Sequence, residues 1–176
     1  NGNFAYVWSK GLCMGDNCST YIDNIEYTLL NKYGETVRGV SKLTDNSTAT
    51  VSTYDSSPTV AVALNGRIGI LWYRYTYQSV TQQYNYNIFF AILDASGNVA
   101  YGPLNLTNNN AFGVPWNDPN VPEFYSVQIA ATGDNRFILS WVKRNRVSGC
   151  SSGDCFLEDI YYAVRDTNGN VVRGVT

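Results

Sequence analysis

The sequence predicts an all-β protein built from a repeated unit of antiparallel strands. The composition favours strands, because the 176 residues include 14 Tyr and many Val, Thr and Ile, which fit a pleated, half-buried surface. Three segments of alternating apolar residues end in tryptophan: GNFAYVW (2–8), GRIGILW (66–72) and NRFILSW (135–141). A second matched segment follows each of them: NIEYTLLNKYG (24–34), NIFFAILDASG (87–97) and DIYYAVRDTNG (159–169). Such self-similarity indicates a tandem repeat.

Period-two alternation and turn residues divide a complete unit into four predicted strands, a to d. Strand a is TVAVAL (59–64) and strand b is the Trp-ending segment; Asn65-Gly66 between them predicts a two-residue hairpin. Strand c is the second matched segment, and the glycine that closes it permits a left-handed turn. Strand d covers residues 35–44, 98–107 and 170–176. No segment has a helical period.

The chain is therefore predicted to be a single β-repeat region, 1–176, with units at 1–44, 45–107 and 108–176. The first unit lacks strand a, and the last stops within strand d. Antiparallel order places the short a–b and c–d turns at one end of every unit. The long and variable b–c and d–a connections lie together at the other end, which we expect to be the functional face.

Four antiparallel strands that recur roughly every 60–70 residues with an aromatic at a fixed place resemble the blades of a β-propeller. The resemblance covers nearly the whole chain and implies about two and three-quarter blades, fewer than the roughly four to eight of a closed ring. The WD40 signature is absent, since the chain has no His, and so is the Asp box of sialidase-like propellers. The DASGNV and DTNGNV turns are similar to those of long extracellular repeats of bacterial surface proteins. A β-sandwich built from the same hairpins is the alternative.

All four cysteines fall into two C-x4-C pairs, Cys13 with Cys18 and Cys150 with Cys155, at equivalent b–c positions. The pattern favours local disulfides that pin long connections, and hence an oxidising compartment, either secreted or at the cell surface. A shared zinc site is a less favoured alternative because a whole unit separates the pairs. A thioredoxin-like redox pair is also disfavoured, since it uses C-x-x-C.

Aromatic side chains on the long connections are the candidate ligand-binding residues, because an aromatic face combines a large contact area with a polar edge. The candidates are Phe112, Trp116, Asp118, Tyr84 and Tyr86. The alternating Tyr73, Tyr75 and Tyr77 are expected to lie on a sheet surface instead. The motif N-x-S/T occurs at Asn17, Asn46 and Asn105, which makes these asparagines candidate glycosylation positions.

No catalytic residue, metal site or cofactor is predicted. Without His, no Ser/His/Asp or Cys/His nucleophile system is available. Carboxylates occur on the long connections, but no spacing selects a pair: Asp16, Asp23, Asp118, Glu123, Asp154, Glu158 and Asp159. The oxygens of DTNGN (166–170) have calcium-loop spacing, yet the related turns indicate a hairpin.

The net charge of −2 and the lack of a basic cluster argue against a nucleic-acid partner, and no apolar run is long enough to span a membrane. We therefore expect a non-catalytic extracellular binding or assembly module, with a glycan or protein ligand, self-association, or a longer parent chain. Part of a propeller carbohydrate-active enzyme and a structural subunit of a surface filament are the alternatives.

Overall fold

Strands make up most of the chain, and the prediction of an all-β fold is confirmed. A computed structural model describes residues 2–109, 121–147 and 155–176. Within these ranges there is one short 3-10 turn, Asp16–Cys18, and no α-helix. The strands are β1 Phe4–Met14, β2 Thr20–Leu30, β3 Thr36–Lys42, β4 Ser52–Val62, β5 Ile68–Gln78, β6 Gln83–Leu93, β7 Val99–Asn105, β8 Glu123–Ala131, β9 Arg136–Arg146, β10 Phe156–Asp166 and β11 Val171–Arg173.

The strands form three antiparallel meanders in chain order. Sheet 1 contains β1 to β3, sheet 2 contains β4 to β7, and sheet 3 contains β8 to β11. A short parallel bridge, Ile22 to Thr53 and Asp23 to Tyr54, connects sheets 1 and 2 at one end. Sheet 3 is separate, with the strand order β11-β10-β9-β8. The described strands do not close into a ring, so the stack has two open ends.

Each sheet has two faces, because neighbouring residues of a strand point to opposite sides. The Trp face carries the following side chains: Phe4, Tyr6 and Trp8 in sheet 1; Ile68, Ile70 and Trp72 in sheet 2; Phe137, Leu139 and Trp141 in sheet 3. The Ile face carries another set: Ile25, Tyr27 and Leu29; Ile88, Phe90 and Ile92; Ile160, Tyr162 and Val164.

Two hydrophobic cores hold the three sheets together. The first lies between the Ile face of sheet 1 and the Trp face of sheet 2. The second lies between the Ile face of sheet 2 and the Trp face of sheet 3. Sheet 2 is therefore buried on both faces, which explains why Ile70, Leu71 and Trp72 are consecutive apolar residues that are each 0% exposed.

The a–b turn at Asn65-Gly66 differs from the predicted two-residue hairpin, whereas the glycines of the c–d turns are left-handed as predicted. At 63–67, the Ala63 N–H donates to the Arg67 carbonyl (2.9 Å) and the Gly66 N–H donates to the Ala63 carbonyl (2.9 Å). The same bond pair recurs in the turns at 31–35, 94–98, 132–136 and 166–170. This pattern is a tight turn followed by a left-handed residue, as in three-residue hairpin loops. Gly66 has φ of 84°, and the left-handed position of the 132–136 turn is filled by Asn135.

The strands at the opposite end are longer than predicted. The b–c connections are largely strand, because β1, β5 and β9 continue to Met14, Gln78 and Arg146. Strand β4 starts at Ser52, seven residues before the predicted start at Thr59, and includes a register shift between Ser56 and Thr59. These extensions are mostly polar, with Tyr and Thr in β4 and β5 and Lys and Arg in β9, so hydrophobic periodicity does not reveal them. In the part of the chain that the structure describes, the predicted b–c connections are therefore mostly paired strands.

The first cysteine pair forms a disulfide at the tip of the β1–β2 hairpin. Cys13 is bonded to Cys18, with their Cα atoms 4.9 Å apart. This confirms a staple for this pair in place of a zinc or redox site. Cys155 is also disulfide-bonded, whereas Cys150 lies outside the described residues. Disulfide bonds fit an oxidising setting.

Candidate functional site

A row of stacked tyrosines crosses the extended end of sheets 1 and 2. The ring centroids are 5.3 Å apart for Tyr21 and Tyr54, 4.3 Å for Tyr54 and Tyr75, and 5.9 Å for Tyr75 and Tyr86. Tyr84 continues the row from Tyr86 at 6.2 Å. Strand register explains the row, because Tyr54, Tyr75 and Tyr86 are directly opposite one another on β4, β5 and β6.

Tyr75, Tyr84 and Tyr86 of the tyrosine row lie in one wall of a cleft against the beginning of β8. One part of the cleft has a volume of about 300 Å³ and is lined by Tyr73, Tyr75, Tyr86, Glu123, Phe124, Tyr125 and Arg144. An adjoining part of about 360 Å³ shares Tyr86 and Glu123 and adds Tyr77, Gln82 and Tyr84. We refer to both parts together as the tyrosine cleft. Its size is that of sites that bind small ligands.

An ion pair lies at the sheet 3 wall of the tyrosine cleft. Arg144 Nε lies 3.1 Å from Glu123 Oε2, and a second guanidinium nitrogen contacts the same oxygen. The guanidinium also lies over the rings of Tyr125 and Phe156, at 5.3 and 4.1 Å from their centroids. Both charged side chains are partly exposed, at 24% for Glu123 and 32% for Arg144. They can therefore hydrogen-bond to a ligand as well as to each other.

Three phenols of the tyrosine cleft, those of Tyr75, Tyr84 and Tyr86, have a raised pKa and stay protonated well into the alkaline range. Burial, followed by neighbouring phenols and the Asp23 carboxylate, raises the pKa of Tyr75 to about 12. Burial and the Glu123 carboxylate raise the pKa of Tyr86, and burial raises that of Tyr84. Neutral phenols both donate and accept hydrogen bonds, so the wall combines aromatic ring edges with polar hydroxyls.

A buried carboxylate on the other face of β4 has a structural role. Asp55 is 0% exposed and accepts four hydrogen bonds: from Trp72 Nε1 (3.0 Å), Arg74 Nε and Nη2 (2.6 Å each) and Asn46 Nδ2 (2.8 Å). Both oxygens are thus fully occupied, and the group has no access to a substrate. The Asn46 amide also donates to the Asp23 carbonyl (2.7 Å), which links Asp55 to sheet 1.

The candidate residues of the sequence are only partly brought together. Tyr84 and Tyr86 line the tyrosine cleft, and Tyr73, Tyr75 and Tyr77 lie on the sheet surface as predicted and line it as well. Phe112, Trp116 and Asp118 lie outside the described residues. Sequence reasoning missed Tyr21, Tyr54, Tyr125 and Arg144. These side chains come together through the register of the extended strands. The alternation of apolar and polar residues along a single strand does not reveal that register.

The carboxylates of the long connections do not gather into a catalytic pair in the described part of the chain. Glu123 is paired with Arg144, and Glu158 accepts a hydrogen bond from the Tyr125 hydroxyl. Asp23 lies beside the buried Asp55; burial and then that negative charge raise the pKa of Asp23. Asp154, like Asp118, is outside the described residues.

Hydrogen bonds decide two other predictions, the hairpin interpretation of the turn at 166–170 and the candidate glycosylation position at Asn46. In the 166–170 turn, Asp166 Oδ1 accepts the N–H groups of Asn168 and Asn170, and Oδ2 accepts the Asn170 amide, as the hairpin interpretation requires. Asn46 is 8% exposed and its amide nitrogen already donates twice, so Asn46 is not an available glycosylation position. Among the described residues, no group of three or more His, Cys, Asp or Glu is arranged to hold a metal ion.

Comparisons with known proteins leave the chain without a relative from which a function could be transferred. No family profile matches it, and neither the curated proteins nor the solved structures contain a significant match. The part of the chain that the structure describes contains no helix long and apolar enough to cross a membrane. The case for a function therefore depends on the tyrosine cleft itself.

Proposed function

We propose that this chain is a non-catalytic extracellular binding module that recognises a glycan in the tyrosine cleft. The observation that carries the proposal is the stacked tyrosine row, of which Tyr75, Tyr84 and Tyr86 present ring edges and phenol hydroxyls along one wall. Ring edges can pack against the C–H groups of a sugar, and the phenols can hydrogen-bond to its hydroxyls. A row of rings spaced 4.3–6.2 Å apart offers an extended chain of sugars several neighbouring contacts.

The polar groups of the cleft suit sugar hydroxyls. Glu123 accepts and Arg144 donates hydrogen bonds, and charge-assisted bonds of this kind are stronger than those between neutral groups. Phenol edges supply further donors and acceptors along the same wall. Arg144 and Glu123 neutralise each other, so the cleft favours an uncharged ligand over a strongly anionic one.

The size of the cleft favours a small or linear ligand over a folded protein surface. Its two parts have volumes of about 300 and 360 Å³, which match sites for drug-sized ligands. A stable protein interface would instead need a broad patch of about 800 Å² on each partner. A second cavity of about 100 Å³ lies at the opposite end, near Leu29, Leu64 and Ile68, and none of the described residues that line it has a charged side chain.

The three sheets are proposed to be blades of a repeat protein of the propeller type. Equivalent hydrogen bonds support the repeat: the N–H groups of Ile25 and Ile88 donate to Thr44 and Thr107 Oγ1, at 2.9 and 3.1 Å. Face-to-face stacking of successive meanders also supports blades over a two-sheet sandwich. The disulfides support a secreted or cell-surface location.

A glycan array followed by calorimetry tests the proposed function. The wild-type chain should bind one or more neutral glycans. Tyr84→Ala and Tyr86→Ala should each weaken binding by roughly five- to tenfold, because each removes an aromatic contact of the wall, at about 1–1.5 kcal/mol. Glu123→Gln should also weaken binding, since it removes the carboxylate that accepts from sugar hydroxyls.

The matched control is Tyr33→Ala. Tyr33 is 75% exposed in the turn at 31–35, at the end of sheet 1 away from the cleft, so its removal should leave binding unchanged. Loss of binding on Tyr33→Ala, or binding that survives both cleft substitutions, would contradict the proposed site. Absence of any glycan ligand for the folded wild-type chain would contradict the proposed function.

A further inference from the structure

The two open ends of the stack carry apolar faces that match each other. At one end, Phe4 and Tyr6 on the Trp face of sheet 1 are each 53% exposed. At the other end, Ile160 on the Ile face of sheet 3 is 78% exposed, and Ile138, on the same side of that sheet, is 41% exposed. Exposed apolar patches of this kind mark interaction surfaces.

The equivalent positions inside the stack are fully buried. Ile25 and Ile88, which correspond to Ile160, are both 0% exposed. Ile70 and Leu139, which correspond to Tyr6, are likewise 0% exposed. Phe4, Tyr6 and Ile160 are therefore exposed because they lie at the ends of the stack. On the sheet 1 face, Phe4 and Tyr6 adjoin the Lys10–Glu26 ion pair beside Trp8.

The internal packing shows which surface fits each end. A Trp face packs on the Ile face of the preceding sheet at both internal junctions, sheet 2 on sheet 1 and sheet 3 on sheet 2. The chain thus repeats one head-to-tail contact twice and leaves one half of the same contact free at each end.

We infer that a second copy of this chain docks its sheet 1 Trp face onto the sheet 3 Ile face of the first. The contact would be a third example of the junction already formed twice within the chain. It is heterologous, because two different surfaces meet, and such contacts generate rings if the rotation closes and open filaments if it does not. Tyr6 and Phe4 of one copy would cover Ile160 and Ile138 of the next.

Light scattering and sedimentation over a concentration series test the inference. The series should reach roughly 0.1 mM, at which a junction with a Kd of about 10 µM is largely formed. The mass of the wild-type chain should rise with concentration. It should reach a fixed value if the copies close into a ring and keep rising if they form a filament, and the same junction builds both assemblies. Tyr6→Asp and Ile160→Asp should each raise the Kd at least tenfold, because each places an unpaired charge in an apolar contact.

Mixing the two variants tests the head-to-tail geometry directly. Tyr6→Asp retains the Ile face and Ile160→Asp retains the Trp face, so an equimolar mixture should form a one-to-one dimer at concentrations near the wild-type Kd, where each variant alone is largely monomeric. A symmetric contact could not be restored in this way. Val80→Asp is the matched control, because Val80 is 89% exposed at the β5–β6 turn and lies on neither end face.

Several results would overturn the inference. A wild-type chain that stays monomeric throughout the series would mean that something other than a second copy covers the two faces. Assembly that survives either substitution, or a mixture that stays monomeric while the wild type assembles, would exclude this junction. Circular dichroism on each variant separates loss of assembly from loss of folding; both altered side chains are more than half exposed, so the fold should be retained.

Discussion

Replacing Asp55 by alanine should be among the most damaging substitutions in the chain. Asp55 is 0% exposed and holds Trp72, Arg74 and Asn46 through four hydrogen bonds of 2.6–3.0 Å. Removing it leaves a guanidinium without its bidentate partner, and leaves the indole and amide N–H groups without an acceptor. These groups span β4, β5 and the segment that precedes β4, so the loss affects the connection of sheet 1 to sheet 2.

The expected magnitude follows from the burial of the partners. Breaking a buried ion pair by removing one member costs about 3–5 kcal/mol, and an orphaned buried donor adds about 1–3 kcal/mol. The Arg74 side chain is 24% exposed, so its guanidinium can hydrogen-bond to water after the substitution. The total destabilisation should therefore lie near the sum of the two lower bounds. We therefore expect Asp55→Ala to lower the free energy of unfolding by about 4 kcal/mol, equivalent to a fall in Tm of about 8–16 °C at this chain length.

Guanidinium unfolding monitored by tryptophan fluorescence and circular dichroism measures this effect. Arg74→Met serves as the partner variant in a double-mutant cycle with Asp55→Ala. The double variant should be less destabilised than the sum of the two single variants by at least about 1 kcal/mol, because it no longer leaves a buried charge unpaired. A loss below about 1 kcal/mol for Asp55→Ala, or strict additivity in the cycle, would refute the structural role assigned to Asp55.

Two further predictions concern the backbone at Gly169 and the phenol of Tyr75. Gly169→Ala should destabilise the chain by about 1–3 kcal/mol more than Gly34→Ala: both residues have φ above 80°, but only at Gly169 would a Cβ lie 2.4 Å from the Tyr101 ring. Equal losses in thermal unfolding would contradict that contact. The pKa of Tyr75 is raised to about 12 in the folded state, whereas an unfolded tyrosine releases its proton near pH 10. Because only the unfolded state has lost this proton between pH 10 and pH 12, the free energy of unfolding should fall over that range. Tyr75→Phe should reduce that fall in denaturant titrations, and an unchanged pH profile would contradict the raised pKa.

Local patterns predicted the strands wherever one or both faces meet a core. The alternation around Trp8, Trp72 and Trp141 and the glycines at the turns mark the cores of strands b and c and their closing turns. They do so because burial of one face imposes a period of two on side chains, burial of both faces gives a continuous apolar run, and a left-handed turn favours glycine or asparagine. The same patterns could not predict the polar extensions to Met14, Gln78 and Arg146, where no hydrophobic face has to be maintained.

In the tyrosine cleft, too, the sequence predicted some residues, whereas strand register decided the others. Tyr84 and Tyr86 could be selected as aromatic residues on a variable segment, but the row from Tyr21 through Tyr54 to Tyr75 depends on register. A shift of one residue between two strands would move each tyrosine to the opposite face and abolish the row. Register in this region is set by pairing over the whole strand and by the shift between Ser56 and Thr59, which distant contacts decide.

The sequence by itself determined the all-β class, the order of the strands and the position of the turns, because each depends on residues that are close in the chain. Only the tertiary structure decided which faces meet. The burial of both faces of sheet 2, the four hydrogen bonds of Asp55 and the pairing of Glu123 with Arg144 join residues from different strands or sheets. Such contacts require sheets to stack in one register and one order, and no local pattern contains that information.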